Sequence, residues 1–137
     1  MKYPYWKIAP EKASDPWIRR PLVPITLEGP TRTMKFAALV DSGADHSLFH
    51  TDVAKALGID LEVCEKQAVA GIEGVPAQSY VTEIKATVDH LAPVTIPVMF
   101  WDRQPISLIG QVGFFDLHRI RFERDHDTFE ITPVRKV

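Results

Sequence analysis

The chain has 137 residues, 45% hydrophobic and 25% charged, an ordinary globular mixture at a length that suits one domain rather than two. Sixteen Lys and Arg against eighteen Asp and Glu leave a net charge of −2, which excludes a nucleic-acid or anionic-membrane binder driven by bulk charge. The single cysteine, Cys64, allows neither an internal disulfide nor a cysteine-held zinc.

Met1 to Arg20 mixes Pro, Lys and aromatics (Tyr3, Tyr5, Trp6, Trp17) without a clean period, and six of the eleven prolines fall within the first thirty residues. The segment holds no apolar run like that of a signal peptide, and no stretch approaches the roughly 18 to 20 apolar residues of a membrane span. A cytoplasmic protein is expected. Residues 1–35 carry seven positive and three negative charges, so a basic arm (1–20) precedes an acidic body (21–137). The arm is expected to run as an extended strap that docks its aromatics on the domain.

From Leu22 to Glu28, Val23, Ile25 and Leu27 alternate onto one face with Pro24 on the other, which suits an edge strand. Met34 to Val40 is nearly all apolar, as in a strand buried on both faces. Thr51 is expected to cap a short helix whose Val53, Ala54 and Leu57 share a face, and Gly58 to stop it. Glu62–Ala70 and Val75–Asp89 read as strands joined at a hairpin tip, Gly71-Ile72-Glu73-Gly74. Val94–Trp101 and Ile106–Ile109 are further strands. Ile120 and Phe122 alternate with arginines before Asp125-His126-Asp127 turns the chain into Phe129 and Ile131. Many short strands, frequent Pro and Gly and one helix predict an all-β barrel or sandwich.

The most informative segment is Leu39-Val40-Asp41-Ser42-Gly43-Ala44-Asp45. A carboxylate at the end of an apolar strand is costly unless something pairs or uses it, and a glycine beside it lets another backbone or ligand approach closely. An Asx-type turn closing the strand is the plain alternative. Val40-Asp41-Ser42-Gly43-Ala44 resembles the Asp-Thr/Ser-Gly-Ala signature of retropepsin-like aspartic proteases. The Gly71–Gly74 hairpin resembles that family's glycine-rich flap. Leu108-Ile109-Gly110 with Phe114 and Phe115 resembles the apolar-apolar-Gly step and short helix beside the catalytic loop. Together these cover about Leu22 to Val134. Two positions depart from the pattern: Ser42 stands for the more common Thr, and Gln111 stands where retroviral members usually carry Arg.

The resemblance implies an all-β retropepsin-like barrel with one or two short helices, and a protease needing no metal or organic cofactor. Asp41 would be the catalytic carboxylate, Ser42 its brace across a dimer, and Gly43 the tight backbone beside the water. Ala44, Asp45, the flap residues Gly71, Ile72, Glu73 and Gly74, and the floor residues Ile109 and Gly110 would meet an extended peptide, with neither nucleic acid nor membrane as partner. Peptide hydrolysis by this route uses two carboxylates sharing one proton. With one Asp-Ser-Gly per chain, the second must come from another copy, so a homodimer is expected. Two rivals remain: a metal site at Asp45, His46 and His50, and a catalytically inactive retropepsin-fold module that dimerises or binds peptide. Cys64 has no obvious basic neighbour in sequence and is not expected to act as a nucleophile.

Overall fold

Three short strands occupy the first twenty residues: β1 (Lys2–Pro4), β2 (Trp6–Ile8) and β3 (Ile18–Arg20). The structure, a computed structural model, describes residues 1–70 and 76–134, the side chains of 69–70 and 76–77 excepted. The expected hairpin tip, Gly71 to Gly74, lies outside the described residues. The remaining elements are β4 (Leu22–Glu28), β5 (Thr33–Val40), β6 (Ser47–His50), α1 (Thr51–Leu57), β7 (Glu65–Ala70), β8 (Pro76–Val88), β9 (Val94–Trp101), β10 (Leu108–Ile109), β11 (His118–Glu123) and β12 (Thr128–Pro133).

Six strands close into a ring in the order β4-β5-β10-β6-β9-β8, which returns to β4 through the antiparallel pairing of Ile25 with Val88. β7 extends the sheet along the N-terminal part of β8. The ring closes because β8, at 13 residues, is long enough to pair with β7 through Pro76–Val81 and with β4 through Lys85–Val88. Val23, Ile25 and Leu27 point inward and are fully buried, as their alternation predicts. They meet Ala38 and Val40 of β5, Phe49 of β6, Ile84, Ala86 and Val88 of β8, and Ile96, Val98 and Phe100 of β9. No helix among the described residues is long and apolar enough to cross a membrane.

A second sheet, β1-β12-β11, ties the two ends of the chain together, with Tyr3 opposite Phe129. Tyr3 is buried and stacks on Phe129 at 5.5 Å between ring centroids, while Tyr5 meets the same ring edge-on at 5.6 Å. The strap thus docks its tyrosines but not its tryptophans: Trp6 and Trp17 remain exposed. β2 and β3 instead form a separate hairpin.

Four local expectations need correction. β4 is not an edge strand, since it pairs with β5 along its length and with β8 over Ile25–Glu28. Pro24 sits where the β8 pairing ends, so its missing N–H breaks no ladder bond there. β5 is buried on one face only: Ala38 and Val40 face the core, whereas Ala37 is exposed. The helix cap is His50 rather than Thr51. The His50 backbone is extended and its Nδ1 accepts from the Asp52 N–H at 2.9 Å, while Thr51 is the first helical residue. Gly58 ends the helix in the left-handed region at φ 81°, as expected. After Gly110 the chain forms no regular helix. Gly113, at φ 89° and ψ −61°, bends the Gln111–Phe115 turn and lets Phe114 drop into the core.

Candidate active site

The short β10 lies between β5, to which it runs parallel, and β6, to which it runs antiparallel. The loop of residues 41–46 therefore leaves one flank of β10 and returns on the other, crossing two strand spacings, about 10 Å. A loop that crosses a strand end this way is held by whatever follows that strand.

The segment after β10 grips the loop at several points. Asp41 N–H donates to Ile109 O at 2.9 Å, Gln111 N–H to Ala44 O at 2.9 Å, and Val112 N–H to Asp45 O at 2.8 Å. The Gln111 side-chain amide donates to Ser42 O at 2.8 Å. Gly110 N–H donates to the hydroxyl of the fully buried Ser47 at 3.1 Å. Gly110 passes so close beneath the loop that a Cβ there would fall on the His46 and Ala44 carbonyl groups. The residue is glycine because of that approach.

Asp41 is half-buried at the mouth of this loop. Its Oδ1 accepts the Gly43 N–H at 2.9 Å and its carbonyl accepts the Ala44 N–H at 3.2 Å. The Asx-type turn is thus present, and it fixes the carboxylate at the surface of the loop. Among the described residues Oδ2 has no hydrogen-bond partner and the carboxylate forms no ion pair. Ser42, Gly43 and Asp45 are exposed, and Ala44 is half-buried. The fold brings Asp41 through Asp45 against Ile109 and Gly110, and Gly71, Ile72, Glu73 and Gly74 are outside the described residues.

One hollow touches the loop, and a second comes to within two residues of Asp41 at Leu39. The first, of about 260 Å³, is lined by Asp45, His46, Leu48, Met99 and Trp101. The other is an apolar groove of about 510 Å³ whose floor includes Leu22, Ala37 and Leu39, with Ile106 on one side. The apolar run of β5 has its explanation here, since the face turned away from the core lines this groove.

The metal alternative loses its geometry. His50 uses Nδ1 to cap α1, and among the described residues no three His, Cys, Asp or Glu side chains are grouped to hold an ion. Burial, reinforced by the charge of Asp60, pushes the Cys64 thiol up, so the thiolate needed for nucleophilic chemistry is disfavoured. Sequence reasoning missed Ser47 as a support and saw Gln111 only as a departure from pattern. Ser47 carried a signal: it falls on the inward side of β6, and a buried hydroxyl there needs a partner. Gln111 carried none, because its partner lies 69 residues away.

Comparison with known proteins agrees with this geometry. A family model described as aspartyl protease matches residues 23–112. No curated protein matches the sequence. Among solved structures, a retropepsin-like aspartic protease from Rickettsia conorii shares 18% identity, covers 93% of this chain and 98% of its own, and superposes with a TM-score of 0.53. EIAV protease complexed with the inhibitor HBY-793 shares 18% identity over 67% of this chain and 82% of its own, with a TM-score of 0.51. At those identities the two structures speak for the fold, which is mostly β and retropepsin-like.

Proposed function

Because the chain belongs to the aspartyl protease family, we propose that two copies assemble about a two-fold axis into an endopeptidase, each contributing one Asp41 carboxylate. The observation that carries this reading is the state of Asp41. It stands at the end of β5, whose inward face is buried, with one backbone donor on Oδ1 and, among the described residues, no cation beside it. A carboxylate so held is available to share a proton with a second one. In aspartic proteases generally, the ionised member of such a pair takes a proton from the attacking water while the neutral member protonates the peptide carbonyl oxygen. Two carboxylates a few ångströms apart do not both ionise cheaply, so the pair itself enforces that division of labour.

The supporting roles follow from position. Gly43 lends the N–H that orients the Asp41 carboxylate, and Ser42 braces the loop across the two-fold axis. Ile109 and Gly110 form the floor under the loop. Ala44 and Asp45 meet the backbone of a peptide laid in as an added strand, its side chains alternating into the two hollows. Gly71, Ile72, Glu73 and Gly74, outside the described residues, take the part of the family's flap residues in meeting the peptide. Residues 21–137 act as the protease domain and 1–20 as an appended arm. The reaction uses no cofactor. A single cysteine suits a reducing, cytoplasmic setting.

The test combines solution mass with peptide cleavage by the wild type and by Asp41→Asn. Light scattering should return twice the 15.5 kDa chain mass, and the near-isosteric amide should abolish turnover while leaving a folded dimer. A monomer that cleaves at full rate would refute the shared site. A dimer that binds peptides but cleaves none, with binding unchanged in Asp41→Asn, would identify a binding module instead.

A further inference from the structure

The apolar groove beside the catalytic loop has one wall outside the segment that matches the family model. That wall is the β2–β3 hairpin, whose Ile8 and Ile18 line the groove together with Ile106. Ile8 and Ile18 are direct cross-strand partners, so both side chains leave the same face of the hairpin. They are 39% and 38% exposed, and Ile106 of the same groove is 53% exposed. Three partly exposed branched aliphatic residues thus share one groove with Leu39, two residues before Asp41.

The hairpin is not free to swing. Arg19 donates to Asp127 Oδ2 at 2.7 Å, and the Tyr5 N–H donates to the Asp127 carbonyl at 2.9 Å. At its other end, the Pro21 carbonyl accepts the Val40 N–H at 2.9 Å, one residue before Asp41. The wall and the catalytic carboxylate are therefore held in one frame.

The geometry points to the N-terminal hairpin as a specificity-determining wall: Ile8 and Ile18 close a groove that takes a bulky apolar side chain, aliphatic or aromatic, flanking the scissile bond of a peptide substrate. This rests on the protease reading of Asp41. Leu39 on the groove floor precedes Asp41 by two residues, about 7 Å of extended chain, which is also the spacing of alternate side chains in an extended peptide. A peptide bond held at Asp41 thus delivers a nearby side chain into the groove. Among the described residues the lining is apolar at seven of its nine positions, and its one cation, Arg20, donates to the Arg19 carbonyl at 3.3 Å. An apolar occupant fits this lining better than an acidic one.

The test uses the full-length protein and peptides that differ only in the residues flanking the scissile bond: Leu, Phe, Ala or Glu. Wild type should favour Leu and Phe over Ala by roughly tenfold or more in kcat/KM, as apolar pockets of this kind do. The double variant Ile8→Ala, Ile18→Ala should cut that ratio to about a third or less, since it removes most of the apolar wall. Ile8→Trp, which fills the groove from the same side, should disfavour Phe relative to Ala. Trp17→Ala serves as the control, because Trp17 sits with Lys7 and Arg19 on the hairpin's other face and should leave the ratio unchanged. An unchanged ratio in the double variant, a preference for Glu, or an equal loss in Trp17→Ala would each overturn the proposal while the protease reading stands. No cleavage of any peptide by the wild type would overturn the protease reading, and this inference with it.

Discussion

Gly110→Ala should destabilise the protein through a collision that the structure makes explicit. The added methyl meets the His46 carbonyl carbon and oxygen and the Ala44 oxygen, all of them backbone atoms. Neither residue can step aside cheaply, because Ala44 O accepts the Gln111 N–H and His46 leads directly into β6. Relief requires lifting the loop off the end of β10. Forced repacking of this kind costs about 1–3 kcal/mol, and weakening the buried bond from Gly110 N–H to Ser47 Oγ adds about 1 kcal/mol. For a chain of this length a loss of about 2–4 kcal/mol lowers Tm by roughly 10 °C. Gly43→Ala is the matched control. Its Cβ meets only Asp41 Oδ1, at 3.3 Å, and its backbone lies outside the left-handed region. The stability change there should stay within about 0.5 kcal/mol, a mild contact set against a less flexible unfolded chain. Activity should fall even so, because the methyl presses on the carboxylate proposed to be catalytic. Thermal unfolding at one fixed protein concentration measures both variants, since the Tm of the proposed dimer would depend on concentration. If Gly110→Ala melts within about 2 °C of wild type, the loop is not clamped as described and the reasoning fails.

Two more outcomes can be measured on the same preparations. Gln111 is exposed, so Gln111→Ala should lower stability by less than about 1 kcal/mol, yet it frees the Ser42 carbonyl beside Asp41 and should reduce kcat more than it raises KM. Gln111→Arg, which keeps a donor, should retain more activity than Gln111→Ala, and equal activity in the two would remove the bond from the mechanism. Burial, with a smaller push from the Asp89 charge, raises the Tyr3 phenol to about 12 from its ordinary value near 10. The unfolded chain then gives up this proton at lower pH than the folded one, so the Tyr3 contribution to stability is whole below about pH 10 and is lost as pH rises toward 12. Tyr3→Phe should be less stable at neutral pH, for want of the hydroxyl's bond to the Asp89 carbonyl, and should show a shallower alkaline decline. Urea unfolding at pH 9, 10 and 11, values chosen to bracket the onset, tests this. An identical alkaline slope in the two proteins would clear Tyr3 of the role.

Where the chain's own pattern decides the structure, the sequence was a sufficient guide. The alternation of Val23, Ile25 and Leu27 marked the inward face of β4, Val94–Trp101 is a strand with those same limits, and Gly58 ends α1. Each rests on interactions a few residues long or on a face that needs covering. The misses share the opposite cause. Three-residue strands such as β1 carry too little local preference to be read, and β1 exists because Lys2 pairs with Glu130 at the far end of the chain. The cap of α1 was misplaced because a neutral histidine can accept through Nδ1 as Ser or Thr does through oxygen, a use that composition does not advertise. An apolar run in β5 was read as burial on both faces, when one face belongs to the core and the other to an open groove.

The candidate site divides in the same way. Asp41-Ser42-Gly43 and Ile109-Gly110 were legible because each needs particular residue types: a carboxylate, a hydroxyl, a residue with no side chain. What makes them one site was not legible. β10 has only two residues, too few to hold together as a strand by itself. It is ordered because β5 and β6 flank it and because the loop between them closes over its end through the bonds to Gln111 and Val112. The loop, in turn, is no helix or strand: beyond its own Asx-type turn, Asp41 is fixed by its N–H bond to Ile109 O and by those same bonds. Each half is thus the other's support, and a change in either should be felt in both: loosening residues 109–112 displaces the carboxylate, and loosening residues 41–46 releases the strand.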